Sequence, residues 1–191
     1  MKFSYDWFGH NGKNWIKWLE FFKGRKNLNF LEIGCFEGRA TVWLLDHILT
    51  DPSSIITVID TFEGSIEHKI RNQDFPLMLK NFAENIKPYA EKVLIKQGYS
   101  QIVLREFKPS SFHFIYIDGS HQAPDVLEDT LLSWRLLKKD GILIFDDYSW
   151  GEEFDDPLLR PKMAIDAFLE IFKNEYKMIA KERQVCIKKI K

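Results

Sequence analysis

Phe112-His113-Phe114-Ile115-Tyr116-Ile117-Asp118-Gly119-Ser120-His121 is an apolar run closed by an acid, and Gly141-Ile142-Leu143-Ile144-Phe145-Asp146-Asp147 repeats the pattern with a pair of acids. Both runs are long enough to be strands buried on both faces, as in a parallel sheet covered by helices. Both deliver carboxylates where the strand opens into a loop. In open α/β sheets that edge carries the ligands. The two runs therefore predict a functional site at the carboxyl ends of buried parallel strands.

Outward from these runs, strand and helix signals alternate. Trp15, Trp18, Leu19 and Phe22 recur at helical spacing after Asn11-Gly12, which predicts an amphipathic helix stopped by Gly24, with Trp15 and Trp18 in the core. Residues 28–33 read as a strand breaking into Gly34-Cys35-Phe36-Glu37-Gly38, and 39–49 as the following helix. A second strand over 55–59 ends at Asp60; a polar loop over 63–74, a helix over 76–85 and a short strand over 93–96 follow. Gly98-Tyr99-Ser100 turns into a helical segment near 102–107. Pro124 opens a long helix with Leu127, Leu131, Trp134 and Leu137 on one face, and Gly141 begins the next strand. The tail breaks the rhythm. A helix over 161–172 precedes strands over 176–180 and 185–190, and the short link Lys181-Glu182-Arg183-Gln184 forces an antiparallel hairpin.

A chain of 191 residues, 45% hydrophobic, can bury one sizeable core, so a single domain over 1–191 is expected, with 1–27 as an N-terminal helical cap. The formal charge of −1 and pI near 6.5 give no general electrostatic reason to bind nucleic acid or an anionic membrane. Cys35 and Cys186 lie far apart and make poor material for a disulfide framework, which fits a reducing cytoplasm. The first residues lack an apolar leader segment, and no stretch approaches the apolar length of a membrane span. The expectation is a cytoplasmic protein with small-molecule partners. A homodimer is among the assemblies left open.

The glycines of Leu31-Glu32-Ile33-Gly34-Cys35-Phe36-Glu37-Gly38 flank the first strand-to-helix turn, where absent side chains let backbone approach a ligand. The spacing is Gly-x-x-x-Gly rather than the dinucleotide fingerprint, and tight strand-to-helix packing alone would also ask for glycine. Asp60, ending the second strand, can accept both hydroxyls of a ribose or stand as a solvated loop acid.

In their order, these signals with the Gly98-Tyr99-Ser100 turn and the final hairpin resemble the class I S-adenosylmethionine-dependent methyltransferases, from Asn29 onward. More narrowly, Tyr116-Ile117-Asp118-Gly119-Ser120-His121, the stretch from Leu136 to Tyr148 and Pro161-Lys162-Met163-Ala164-Ile165-Asp166 look like the small subfamily related to macrocin O-methyltransferases. The resemblance implies a Rossmann-like α/β fold, a three-layer αβα sandwich. Its seven-stranded, mostly parallel sheet would run in the order 3-2-1-4-5-7-6, with one antiparallel strand. It implies Glu32, Gly34, Cys35 and Gly38 along the methionine part of S-adenosyl-L-methionine, and Asp60 with Thr61 on the ribose. Ser100 would lie near the adenine, and Asp118 would border the cofactor as well. Phe62 could cover an adenine face or simply pack. Cys35 reads as a small wall residue, since nothing marks it as activated.

Three acids at neighbouring strand ends, Asp118, Asp146 and Asp147, would repel one another unless protons or a cation neutralise them. Mg²⁺ or a similar divalent cation, as in metal-dependent O-methyltransferases, would resolve that and lower the pKa of an acceptor hydroxyl. Relatives often carry a Lys three residues after the first acid or an Asp two residues after it. Here those positions hold His121 and Ser120, so His121 is the candidate general base, with a helix-start histidine bonded to backbone as the bland alternative. Trp7, Phe8 and His10, and Tyr148 and Trp150, are candidates to border the acceptor or to pack as a lid. The implied activity is methyl transfer to a hydroxyl of a sugar or natural-product-like molecule. A metal-free methyltransferase, a nicotinamide-dependent dehydrogenase, a nucleic-acid methyltransferase and a non-catalytic cofactor-binding protein remain alternatives.

Overall fold

Seven strands form one sheet in the order β3-β2-β1-β4-β5-β7-β6 in the computed structural model, which describes residues 1–64 and 74–191. Strands β1 (Asn29–Ile33), β2 (Ile55–Asp60) and β3 (Val93–Gln97) pair in parallel, as do β4 (Phe112–Ile117) and β5 (Leu137–Phe145). Strand β7 (Val185–Lys189) runs against both β5 and β6 (Tyr176–Lys181) and is the one reversed strand. The expected order and polarity are thus those observed. The polar stretch over 63–74 lies mostly outside the described residues. Two compact units are distinguished, Met1–Gly98 and Tyr99–Lys191.

In Met1–Gly98, helix α1 (Gly12–Leu19) ends in a 3-10 turn through Phe22, and Trp15, Leu19 and Phe22 are buried as its periodicity demands. Trp18 is only half-buried. Trp15 meets Phe8 and Trp43 edge-on, at 4.8 and 5.8 Å between ring centroids, so Phe8 is a core residue. Helices α2 (Arg39–His47) and α3 (Phe75–Ile86) bury Val42, Leu44, Met78 and Phe82. Asp74 caps α3 by accepting from the Leu77 amide at 3.0 Å.

In Tyr99–Lys191, the one-turn helix α4 (Ser100–Val103) starts two residues earlier than its apolar pattern, at Ser100 itself. Strand β5 begins at Leu137, not Gly141. Leu137 pairs with Phe112, and the register then shifts before Ile142 meets Phe114. Asp140 takes φ +65°, and a Cβ on Gly141 would lie 2.8 Å from the Lys138 carbonyl oxygen, so this glycine marks a bulge within the strand. Helix α5 (Ala123–Leu136) also corrects the expected face: Leu131 is 41% exposed, whereas Val126, Asp129, Thr130, Ser133 and Trp134 are buried. Helix α6 (Pro161–Ile171) buries Ala164, Ile165, Phe168 and Leu169. Both cysteines are buried and outside any disulfide among the described residues, and no helix among them is long and apolar enough to cross a membrane.

Candidate active site

In Met1–Gly98 the site is built from backbone. The chain leaves β1 at Gly34 (φ +79°), passes Phe36 (φ +50°) and enters α2 through Gly38 (φ +78°). This left-handed path has little room for side chains, since a Cβ on Gly38 would sit 3.0 Å from the Phe82 ring, and internal bonds hold it: the Gly34 amide donates to the Ile59 carbonyl at 2.9 Å and the Gly38 amide to the Cys35 carbonyl at 2.7 Å. Asp60 organises the turn: its Oδ2 accepts from the amides of Cys35 (2.8 Å) and Phe36 (3.3 Å), and its Oδ1 from that of Phe62 (2.7 Å). The Cys35 thiol also lies 3.4 Å from Oδ2, so Oδ1, which accepts from one amide, is the oxygen with room for a hydroxyl donor. Thr61 accepts on its hydroxyl from the Glu63 amide and on its carbonyl from Gln97, both at 3.2 Å. Phe62 turns inward, 7% exposed with its ring 5.2 Å from Phe82, so packing accounts for this aromatic.

Glu32 is 1% exposed, and its Oε2 accepts a 2.5 Å bond from Thr41. Burial pushes its carboxyl up to about 8, opposed by the Thr41 bond and assisted by the nearby Asp60 charge. Glu37, which the sequence did not single out, is an anchor: buried, it accepts from the Ser4 amide and hydroxyl (2.5 and 2.8 Å) and from Asn81 (2.7 Å). Asn85 adds a two-way bond to the Lys2 peptide, accepting from its amide and donating to its carbonyl at 2.7 Å each. The first residues are thereby strapped beside the glycine turn, and Trp7 lays its ring 4.7 Å from Phe36. His10 is exposed.

In Tyr99–Lys191 the ends of β4 and β5 gather acids. One ligand atom each from Asp118, His121 and Asp147 lies within 4.8 Å of the others. His121 Nε2 and Asp147 Oδ2 are 2.8 Å apart, and Trp150 covers the imidazole at 4.3 Å between ring centroids. Asp146 is engaged differently, accepting from its neighbour's amide (Asp147, 2.8 Å) and from Tyr116, with the Gln184 side chain favouring its charged form. The Tyr116 hydroxyl also lies 2.9 Å from Asp118 Oδ2. One hydroxyl proton cannot serve two carboxylates, so a second proton belongs on Asp118 or Asp146 while both stay bonded to it. The titration directions agree. Burial, then the Asp146 and Asp147 charges, raise Asp118 well above the ordinary carboxyl range; burial and Asp147 lift Asp146 to about 6. Burial and the same two acids push the Tyr116 phenol far up.

Tyr116 and Gln184 were not singled out from sequence. Tyr116 read as an apolar strand residue, yet it lies two positions before Asp118 and so on the same face of the strand, a period-two signal that was available. Ser100 bonds Asp129, a buried acid on α5, while the Tyr99 side chain is 59% exposed.

A donor set of two carboxylate oxygens and one imidazole nitrogen suits a divalent cation of the Mn²⁺ kind better than Mg²⁺, which prefers oxygen alone. Without a cation, the same His121–Asp147 pair is a base held by a carboxylate.

Residues 31–148 match the model of a family described as a methyltransferase domain. An uncharacterised protein of Acanthamoeba polyphaga mimivirus is 28% identical over 109 residues, 47% of this chain and 49% of that protein, so the chain spans about half the length of this curated relative. Among solved structures, the fold is similar to an O-methyltransferase from Bacillus cereus in complex with S-adenosylhomocysteine (TM-score 0.69, 18% identity, 98% of this chain and 84% of that one). It is also similar to the O-methyltransferase TomG from Streptomyces achromogenes, involved in tomaymycin synthesis and solved with S-adenosylmethionine (TM-score 0.68, 15% identity, 95% and 80% covered).

Proposed function

The chain belongs to the methyltransferase-domain family, and from that premise we propose that it moves a methyl group from S-adenosylmethionine to a hydroxyl of a small molecule with the help of a divalent cation. The observation that carries this reading is the clustering of Asp118, His121 and Asp147 within 4.8 Å at the ends of β4 and β5. Support also comes from the solved O-methyltransferases of the same fold, which hold this donor or its product.

The glycine turn would receive the methionine part of the donor against its side-chain-free backbone, and Asp60 would take the ribose hydroxyls while keeping its bonds to Cys35 and Phe36. Ser100, steadied by Asp129, would face the adenine. Asp118, His121 and Asp147 would hold the cation, with Asp146 and Tyr116 fixing Asp118 from behind through hydrogen bonds. A cation bound there supplies Lewis acidity that lowers the pKa of the acceptor hydroxyl. The acceptor oxygen, its proton released to solvent water, would attack the methyl carbon, forming the C–O bond as the C–S bond breaks and leaving the donor as the neutral thioether S-adenosylhomocysteine.

A second reading rests on the 2.8 Å contact between His121 and Asp147: without a cation, His121 would take the hydroxyl proton directly and Asp147 would stabilise the imidazolium. Transfer of labelled methyl groups to a panel of hydroxylated compounds, with and without a chelator, separates the two. Activity abolished by chelation and restored by Mn²⁺ supports the cation. Unchanged activity rejects it in favour of the His121–Asp147 pair. Transfer to no hydroxyl under either condition overturns the O-methyltransferase reading.

A further inference from the structure

We propose that Lys162 and Lys181, gathered around Tyr148 and Asp166, form a subsite for an oxyanion, a carboxylate or a phosphate, carried by the methyl acceptor. This rests on the reading above and adds the acceptor's class: a hydroxylated molecule that is also an anion.

The cluster lies wholly within Tyr99–Lys191. Asp166 on α6 accepts from the Tyr148 hydroxyl and from Lys181 on Oδ1, both at 2.8 Å, and from Lys162 on Oδ2 at 3.2 Å. Lys162 also donates to the Tyr148 oxygen, and the two ammoniums stand 4.1 and 5.0 Å from the centre of the Tyr148 ring. Two cations thus share one carboxylate and one neutral phenol, leaving a local charge of about +1 by the ordinary ionisation of these groups. The turn that follows adds no net charge, since Glu182 and Arg183 are of opposite sign; the Arg183 carbonyl accepts from the Tyr148 amide at 2.9 Å. Tying α6 to β6 would need only one ammonium on Asp166; the second brings like-charge repulsion and leaves unused N–H donors on side chains about 40% exposed.

The surplus stands next to the reacting acids. Tyr148 directly follows Asp147, and Trp150 of the same loop covers His121. Gln184, in the turn after Lys181, favours the charged form of Asp146. With the hydroxyl at the acids, an oxyanion on the same molecule would be placed toward Tyr148, where the lysines attract it.

The test is a residue-resolved amide NMR titration of the full chain with benzoate, inorganic phosphate and neutral benzamide, with a parallel titration of S-adenosylhomocysteine on the same sample. Saturable shifts centred on Tyr148, Lys162 and Lys181 with benzoate or phosphate, and none there with benzamide, are expected; which anion acts distinguishes a carboxylate from a phosphate. Binding should weaken about tenfold in Lys162→Met/Lys181→Met and persist in Lys162→Arg/Lys181→Arg, as a charge-borne site requires. Absence of saturable shifts in the unaltered protein, equal shifts with benzamide, or undiminished binding in a folded Met variant overturns the subsite. If S-adenosylhomocysteine also fails to bind, the donor reading itself falls; if it binds, only the subsite does.

Discussion

Glu32 shows what one buried side chain does to the whole protein's response to pH. Its folded pKa of about 8 stands above the ordinary 4.5, so between those values the folded state keeps a proton that the unfolded state has released. Stability must then fall as pH rises through that window, by at most about 1.4 kcal/mol per unit for this group. Glu32→Gln removes the effect, and the difference in melting temperature between variant and parent should widen in the variant's favour from pH 5 toward pH 8. A difference constant with pH contradicts the assignment. Tyr116 lends itself to the same treatment: Tyr116→Phe removes the hydroxyl between Asp118 and Asp146. It should lower methyl transfer about tenfold or more without weakening S-adenosylhomocysteine, since the residue positions an acid rather than touching the donor. Sequence showed the acids because strand ends advertise them. It hid Tyr116, whose aromatic ring satisfies an apolar pattern while its hydroxyl serves the site.

At the level of elements, helix α5 marks where pattern reading misled. The Leu127, Leu131 and Trp134 stripe suggested a leucine face, yet the buried side carries Val126, Asp129, Thr130 and Ser133, and Leu131 is 41% exposed. Small polar residues can be buried where they find local partners, as Thr130 does by donating to the Val126 carbonyl at 2.5 Å. Leu131→Ala should therefore change stability by no more than about 0.5 kcal/mol, and Val126→Ala should cost about 1–3 kcal/mol. Urea denaturation of the two variants decides, and the reverse ranking would restore the leucine face. Strand β5 carries the same lesson: the glycine suggested a strand starting at Gly141, but a bulge there lets Lys138-Lys139-Asp140 belong to the strand. The antiparallel hairpin was legible because its link is too short to cross the sheet, and the strand order because the family resemblance implies it. The hairpin's contribution of Gln184 and Lys181 to the acid loop was not, since it depends on tertiary docking.

For the whole molecule, the proposed cation makes a thermodynamic statement. Asp118 and Asp146 hold protons above the ordinary carboxyl range because burial and mutual repulsion leave them short of positive charge. A divalent ion that binds only the folded state at a hundredfold excess over its dissociation constant stabilises by about 2.7 kcal/mol. Mn²⁺ should raise the melting temperature by several degrees, more at pH 8 than at pH 5 where protons compete, and His121→Gln should lose most of that rise. An equal rise in the variant would remove His121 from the ligand set. The central claim, that a methyl donor is held by the glycine turn and Asp60, is most directly tested by calorimetric titration of S-adenosylhomocysteine into the protein and into Asp60→Ala. One saturable site in the parent, weakened about tenfold or more by loss of the carboxylate, is the expected result. No binding at millimolar ligand, or equal affinity in a folded Asp60→Ala, would contradict it.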